Sequence, residues 1–201
     1  MTFDMSSRDV PEPFIRLALD EFKKRGGKTI VELGCMRQPM VHKPLECTDT
    51  CLSRCDGHST AIFDAVEGAE FHSVDISQKS CDIARAHLKH TPHENIFCMD
   101  AIAFLKECLF EIDLLYLDAW DVDLPDSAEK HLEAYLAAQH CIHDNTIILI
   151  DDTDVYWDGI EFHPVFSDHG GKGRLVIPHM IEDGWEVKFK GRQTMLVKIN
   201  K

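Results

Sequence analysis

Two spacings of apolar residues take turns along this chain. One is a short, nearly unbroken apolar run that ends at an acidic side chain; the other recurs every three or four residues. Lys28 to Leu33 is the first run: Thr29-Ile-Val is β-branched, Gly26-Gly27 breaks the chain before it, and Glu32 and Gly34 close it. It predicts a buried strand with a backbone bend and a carboxylate at its end. Glu70 to Ile76, Asn95 to Met99, Ile112 to Leu117 and Thr146 to Ile150 predict the second to fifth strands. Trp185 to Phe189 and Thr194 to Ile199, joined at Gly191-Arg192, predict a closing antiparallel pair.

The helical spacing fills the gaps. Pro11 to Arg25 offers Phe14, Leu17, Ala18 and Phe22, with Leu19, as one face stopped by the two glycines. A second helix begins at Asp56-Gly-His-Ser-Thr, with Ser59 or Thr60 as its N-cap and Ala61, Ile62, Ala65 and Val66 following. Ser77 caps a third helix to about Lys89, with Cys81, Ala84 and Leu88 inward, and a fourth runs through Phe104 and Leu105. Ser127 to His143 (Leu132, Tyr135, Leu136, Gln139) and Gly173 to Asp183 complete the set. Strands alternating with helices predict an α/β, doubly wound, mostly parallel seven-stranded sheet with a C-terminal antiparallel hairpin. At 201 residues the chain suits one domain, residues 1–201, interrupted by a Cys-rich insertion at about Cys35–Gly57. A βα turn ordinarily takes about two to six residues, so an insertion of that length suggests a lid over a ligand.

Charge narrows the partners. The formal net charge is −14, which argues against sequence-independent nucleic-acid binding and against attraction to an anionic membrane. No apolar run reaches the length of a bilayer span, and the first residues lack a secretory core, so a cytoplasmic protein with a small-molecule partner is expected. Eight cysteines then read as thiols or metal ligands before disulfides. The sequence does not give the oligomeric state.

Glu32, Asp75, Asp100, Asp118 and Asp151 each stand at a predicted strand end. Singly each is an ordinary turn aspartate or glutamate. Together they form an acidic rim at the carboxyl edge, where open α/β sheets bind ligands. Asp75 is placed to accept a ribose diol, and Asp100 to meet an adenine amino group with the Ala101 N–H beside it. A nicotinamide oxidoreductase is the weaker alternative, because the first turn lacks Gly-x-Gly-x-x-Gly.

Val31-Glu-Leu-Gly, Ser73-Val-Asp-Ile, Cys98-Met-Asp-Ala and Leu114-Leu-Tyr-Leu-Asp, in that order, resemble the successive motifs of class I S-adenosylmethionine-dependent methyltransferases over roughly Thr29 to Lys198. Leu117-Asp-Ala-Trp, Leu149-Ile-Asp-Asp and Gly57-His-Ser resemble segments of the catechol O-methyltransferase-like, metal-dependent members. The resemblance implies a Rossmann-like fold and S-adenosyl-L-methionine held by Glu32, Gly34, Ser59, Asp75, Asp100, Ala101 and Asp118. It also implies a divalent cation, Mg²⁺ above all, on Asp118, Asp151 and Asp152, whose hard oxygens suit it. The implied activity is O-methylation of a small hydroxylated molecule. Three departures stand out: Asp152 replaces the family's Asn; Asp121 stands where the family has a lysine base, so no catalytic base carries over; and the third is the Cys35–Gly57 insertion itself. That missing lysine favours the rival reading of a non-catalytic cofactor-binding or regulatory module.

Weaker signals surround these. Cys47, Cys51 and Cys55 sit four apart and, with His42, could hold a soft metal, although the spacing is not that of a zinc knuckle. Trp120, Tyr156 and Trp157 are candidate substrate walls, and His163 and His169 are nearby imidazoles with a plain reading as loop residues. His169-Gly-Gly-Lys-Gly-Arg carries Lys172 and Arg174 but lacks a Walker pattern, and it reads as a flexible loop opening the last helix.

Overall fold

A computed structural model describes residues 12–38, 58–165 and 169–199. The elements in chain order are α1 (Glu12–Lys24), β1 (Thr29–Leu33), α2 (His58–Asp64), β2 (Glu70–Asp75), α3 (Gln78–His87) and β3 (Ile96–Cys98). They continue with α4 (Ala101–Glu107), β4 (Ile112–Leu117), α5 (Ser127–Ala137), β5 (Ile142–Ile150), β6 (Val155–Trp157) and β7 (Phe162–Pro164). The last three are α6 (Gly173–Glu182), β8 (Trp185–Lys190) and β9 (Thr194–Lys198).

The main sheet has seven strands in the order β3-β2-β1-β4-β5-β9-β8. β3, β2, β1, β4 and β5 run parallel; β9 pairs antiparallel with β5 and with β8, as the sequence predicts. The chain steps outward from β1 through β2 to β3, then returns to start β4 on the other side of β1. The β1/β4 junction is therefore the switch point at which such sheets open a crevice.

β4 shows why these strands read as continuous apolar runs. Leu115 and Leu117 face Ile102, Leu105, Tyr135 and Ile177, while Leu114 and Tyr116 face Ile15, Phe63 and Met195. Both faces are covered, so neither alternates to polar. Each such side chain contributes about 1.5–3 kcal/mol on burial.

Several boundaries differ from expectation. α1 buries Ile15, Ala18, Leu19 and Phe22, an i, i+3, i+4, i+7 face, and leaves Leu17 about half exposed. α5 stops at Ala137 and a short 3₁₀ turn carries the chain to His140; its inner face is Ala128, His131, Ala134 and Tyr135, and Leu136 points out. Small alanines set that face, so the larger leucine misleads a reading by size. β5 begins at Ile142, before the expected Thr146. α2 begins at His58, so Ser59 and Thr60 lie inside its first turn instead of capping it. The β6–β7 hairpin was not expected, since each of its strands has only three residues and Pro164 closes the second. No helix among the described residues is long and apolar enough to cross a membrane.

Gly34 is the tightest point of the frame. Its φ is +88°, and a β-carbon there would lie 2.6 Å from the Asp118 carbonyl oxygen. Replacing it with alanine sets a left-handed backbone against that carbonyl, and Gly34→Ala is expected to lower the unfolding free energy by about 2–3 kcal/mol. Urea titration reads this as a lower midpoint; an unchanged midpoint would show that the turn relaxes freely.

Candidate active site

Hydrogen bonds between strands continue past the strand ends and bring the acidic residues together. Gly34 N–H donates to Val74 O at 2.7 Å, Asp118 N–H to Leu33 O at 3.1 Å, and Asp151 N–H to Leu117 O at 3.2 Å. Of the five expected rim carboxylates, Asp75, Asp100 and Asp118 line the clefts there, whereas Glu32 and Asp151 are buried and line neither.

The two clefts adjoin one another. One is lined by Gly34, Val74, Asp75, Ile76, Asp100, Ala101, Ala119 and Trp120. The other is lined by Gly34, Cys35, Arg37, Ser59, Asp75, Asp118, Ala119 and Asp121. Gly34, Asp75 and Ala119 belong to both. Six of the seven residues expected to hold a cofactor thus line these two adjoining clefts: Gly34, Ser59, Asp75, Asp100, Ala101 and Asp118.

Asp75 is fixed by the backbone. Its Oδ2 accepts Cys35 N–H at 3.1 Å and its Oδ1 accepts Ser77 N–H at 2.7 Å. Each oxygen keeps further accepting capacity. The carboxylate is thereby held rigid between two turns and available to paired hydroxyls. Asp100 caps α4 through Ala103 N–H at 2.8 Å, so part of its carboxylate is already engaged.

Glu32 lies beneath the crevice, fully buried. Ser73 Oγ donates to its Oε2 at 2.8 Å. Burial pushes its pKa up to about 7, against the opposing pull of the Ser59, Ser73 and Thr60 hydroxyls. Its part is to support the floor and the Ser59 turn, with no face on the cleft. Because the folded pKa exceeds the unfolded one, the folded state holds this proton between about pH 4.5 and 7 and the unfolded state does not. Stability is then greatest below that window and falls as pH rises through it, by about 3 kcal/mol at most. Glu32→Gln is expected to flatten that fall in denaturation midpoints measured from pH 4.5 to 8. An unaltered profile would assign the dependence elsewhere.

Asp118, Asp151 and Asp152 each present an oxygen within 4.8 Å of the others, as a shared cation site requires. The positive charge among them is the ammonium of Lys172. That side chain is 2% exposed, touches Asp118 Oδ1, and lies 3.1 Å from Asp152 Oδ2. Burial alone would lower its pKa, but Asp118, Asp152 and Asp151 outweigh that and hold it above the ordinary lysine value. Asp151 Oδ1 accepts from Gln193 Nε2 at 2.8 Å, and Arg192 Nε lies 4.0 Å from Asp151 and 3.8 Å from Asp152.

Lys172 is the residue that sequence reasoning misses, and the expectation of a flexible loop is corrected here. Its signal was the pair of flanking glycines, which permit close backbone approach. Asp121, at the expected lysine position, is salt-bridged to Arg37 at 2.8 Å on the surface. Tyr156 and Trp157 line a third cavity of about 290 Å³ with Val122, Leu124, Gly171 and Arg174. Trp120 belongs to the first cleft, edge-on to His131. His163 stacks on Tyr156 and pairs with Asp158 at 2.7 Å. His42, Cys47, Cys51 and Cys55 lie outside the described residues.

No protein-family model and no curated protein sequence matches this chain. Solved structures do. An O-methyltransferase from Bacillus cereus, in complex with SAH, superposes with a TM-score of 0.53 at 16% identity, over 96% of this chain and 84% of that one. The fold is that of class I methyltransferases. TomG, an O-methyltransferase of Streptomyces achromogenes involved in tomaymycin synthesis and solved with SAM, matches with a TM-score of 0.54 at 13% identity, over 96% and 82%. An rRNA methylase from Streptococcus thermophilus matches with 0.55 at 10% identity, over 92% and 96%.

Proposed function

We propose that the protein is an S-adenosylmethionine-dependent methyltransferase acting on an oxygen of a small hydroxylated molecule. One observation carries the reading: Asp75, clamped by Cys35 N–H and Ser77 N–H, stands where the two halves of the crevice meet. A rigid acceptor flanked by Gly34 and by the Asp100–Ala101 turn suits a ribose with its base on one side and its amino-acid part on the other. The bound cofactor would supply a methyl group already activated on a sulfonium.

The chain's own part is alignment. An activated donor needs a nucleophilic oxygen held at near-attack distance more than it needs acid–base chemistry. The segment 118–123 runs from the second cleft, which Asp118 lines, to the cavity of Tyr156, Trp157 and Arg174, which Val122 and Asp123 line, so it joins the proposed cofactor and acceptor spaces. Arg174 lines that cavity, its side chain 56% exposed and ion-paired with Glu129 at 3.5 Å, and Asp123 and Asp158 line it too. The net charge of −14 favours a small acceptor over RNA.

A second reading, a cofactor-binding module without turnover, draws on Asp121 being tied to Arg37 at the position of the family's lysine. Calorimetry with S-adenosylmethionine and S-adenosylhomocysteine, followed by a turnover screen on catechols and hydroxy-acids, separates the two. Asp75→Ala is expected to weaken S-adenosylhomocysteine binding by about 10- to 100-fold, the loss of hydrogen bonds to a charged acceptor. Binding of NAD(P)H in place of the sulfonium would overturn both readings.

A further inference from the structure

The carboxylates of Asp118, Asp151 and Asp152 have the spacing of a divalent-cation site, but two of them are already bridged by a buried lysine of the chain. A hard divalent ion sits about 2.0–2.6 Å from each carboxylate oxygen. Lys172 Nζ contacts Asp118 Oδ1 and Asp152 Oδ2, so it engages two of the three carboxylates that such an ion would need. Ammonium and metal, both positive, would then share two carboxylates. Charge is also nearly balanced already: Lys172 and Arg192 stand against three carboxylates and leave about one negative charge to attract an ion.

The lysine is placed by its neighbours. Gly171 has φ +43°, and a β-carbon there would collide with the Asp152 carbonyl oxygen and with Val122. Gly173 packs as closely on Thr153 and Ile177, and Gly170 N–H donates to Thr153 O at 2.9 Å. Residues 170 and 171 therefore lie against the backbone after β5, where a side chain would run into the Val155 and Asp152 carbonyl oxygens. That contact drives the Lys172 side chain down between the carboxylates.

We propose that Lys172 is the resident cation of this acidic cluster, replacing the divalent ion that the three carboxylates would otherwise hold. Two of its three donors go to Asp118 and Asp152, which fixes the Asp118 carboxylate facing the crevice. Lys172 is thus a positioning residue, and methyl transfer needs no metal. The consequence for turnover rests on the methyltransferase reading; the consequence for metal binding does not.

The test titrates Mn²⁺ alone into the full chain and follows the free-ion signal by electron paramagnetic resonance. Wild type is expected to leave that signal undiminished up to about 1 mM, the weak end of protein cation sites. Lys172→Ala is expected to take up one Mn²⁺ per chain at least about tenfold more tightly, and Asp118→Asn in that background to lose it. Lys172→Gln, closer in size, serves if the alanine variant does not fold. One Mn²⁺ bound per wild-type chain and lost with Asp118→Asn, or folded Lys172 variants that gain none, would overturn the proposal. Calorimetry of the same wild-type sample with S-adenosylhomocysteine reports on the methyltransferase reading independently.

Discussion

Backbone hydrogen bonds at the carboxyl ends of β1, β2, β4 and β5 decide where every other group in this site can stand. Val74 O receives Gly34, Leu33 O receives Asp118, and Leu117 O receives Asp151. Those bonds carry the parallel register one residue beyond the strands, so the first residue of each loop is still held by sheet geometry. The acidic side chains there inherit the sheet's rigidity, although they belong to turns. The cost is a backbone crowded enough to require Gly34, whose missing β-carbon lets β1 turn against Asp118.

The electrostatics follow from the same alignment. Strand ends brought side by side concentrate Glu32, Asp75, Asp118, Asp151 and Asp152 in a small volume, and like charges in a low dielectric repel strongly. Each is relieved in its own way. Glu32 holds a proton up to about pH 7 and leans on Ser73. Asp75 is taken by Cys35 and Ser77 N–H. Asp118 and Asp152 share Lys172, and Asp151 is satisfied by Gln193. Of these five, only Asp75 and Asp118 line the crevice.

Much of this could be read from the residues in order. β4 and the second half of β5 announce themselves because both their faces are buried, which makes them apolar, as in Leu114-Leu-Tyr-Leu before Asp118. Six of the seven expected cofactor residues then line the crevice because a strand end is fixed by its strand. What failed to show was anything set by contact between distant segments. Lys172 looks like a loop residue until 170–173 is laid on Asp152 and Thr153; its flanking glycines permit a close approach but do not name the partner. Leu17 and Leu136 fit a helical face by size, yet smaller neighbours such as Ala18 and Ala134 hold the buried positions. Short strands such as β6 and β7 carry too few residues for a period to appear.

A crystal structure of the protein soaked with S-adenosylhomocysteine bears most directly on the claim that aligned strand ends form an adenosyl-binding crevice. The expected map shows both ribose hydroxyls on the Asp75 carboxylate, the base beside Asp100 and Ala101, and the amino-acid part toward Gly34 and Ser59. Density for the ligand elsewhere, or an Asp75 still bonded only to Cys35 and Ser77 with the crevice closed by side chains, would contradict it.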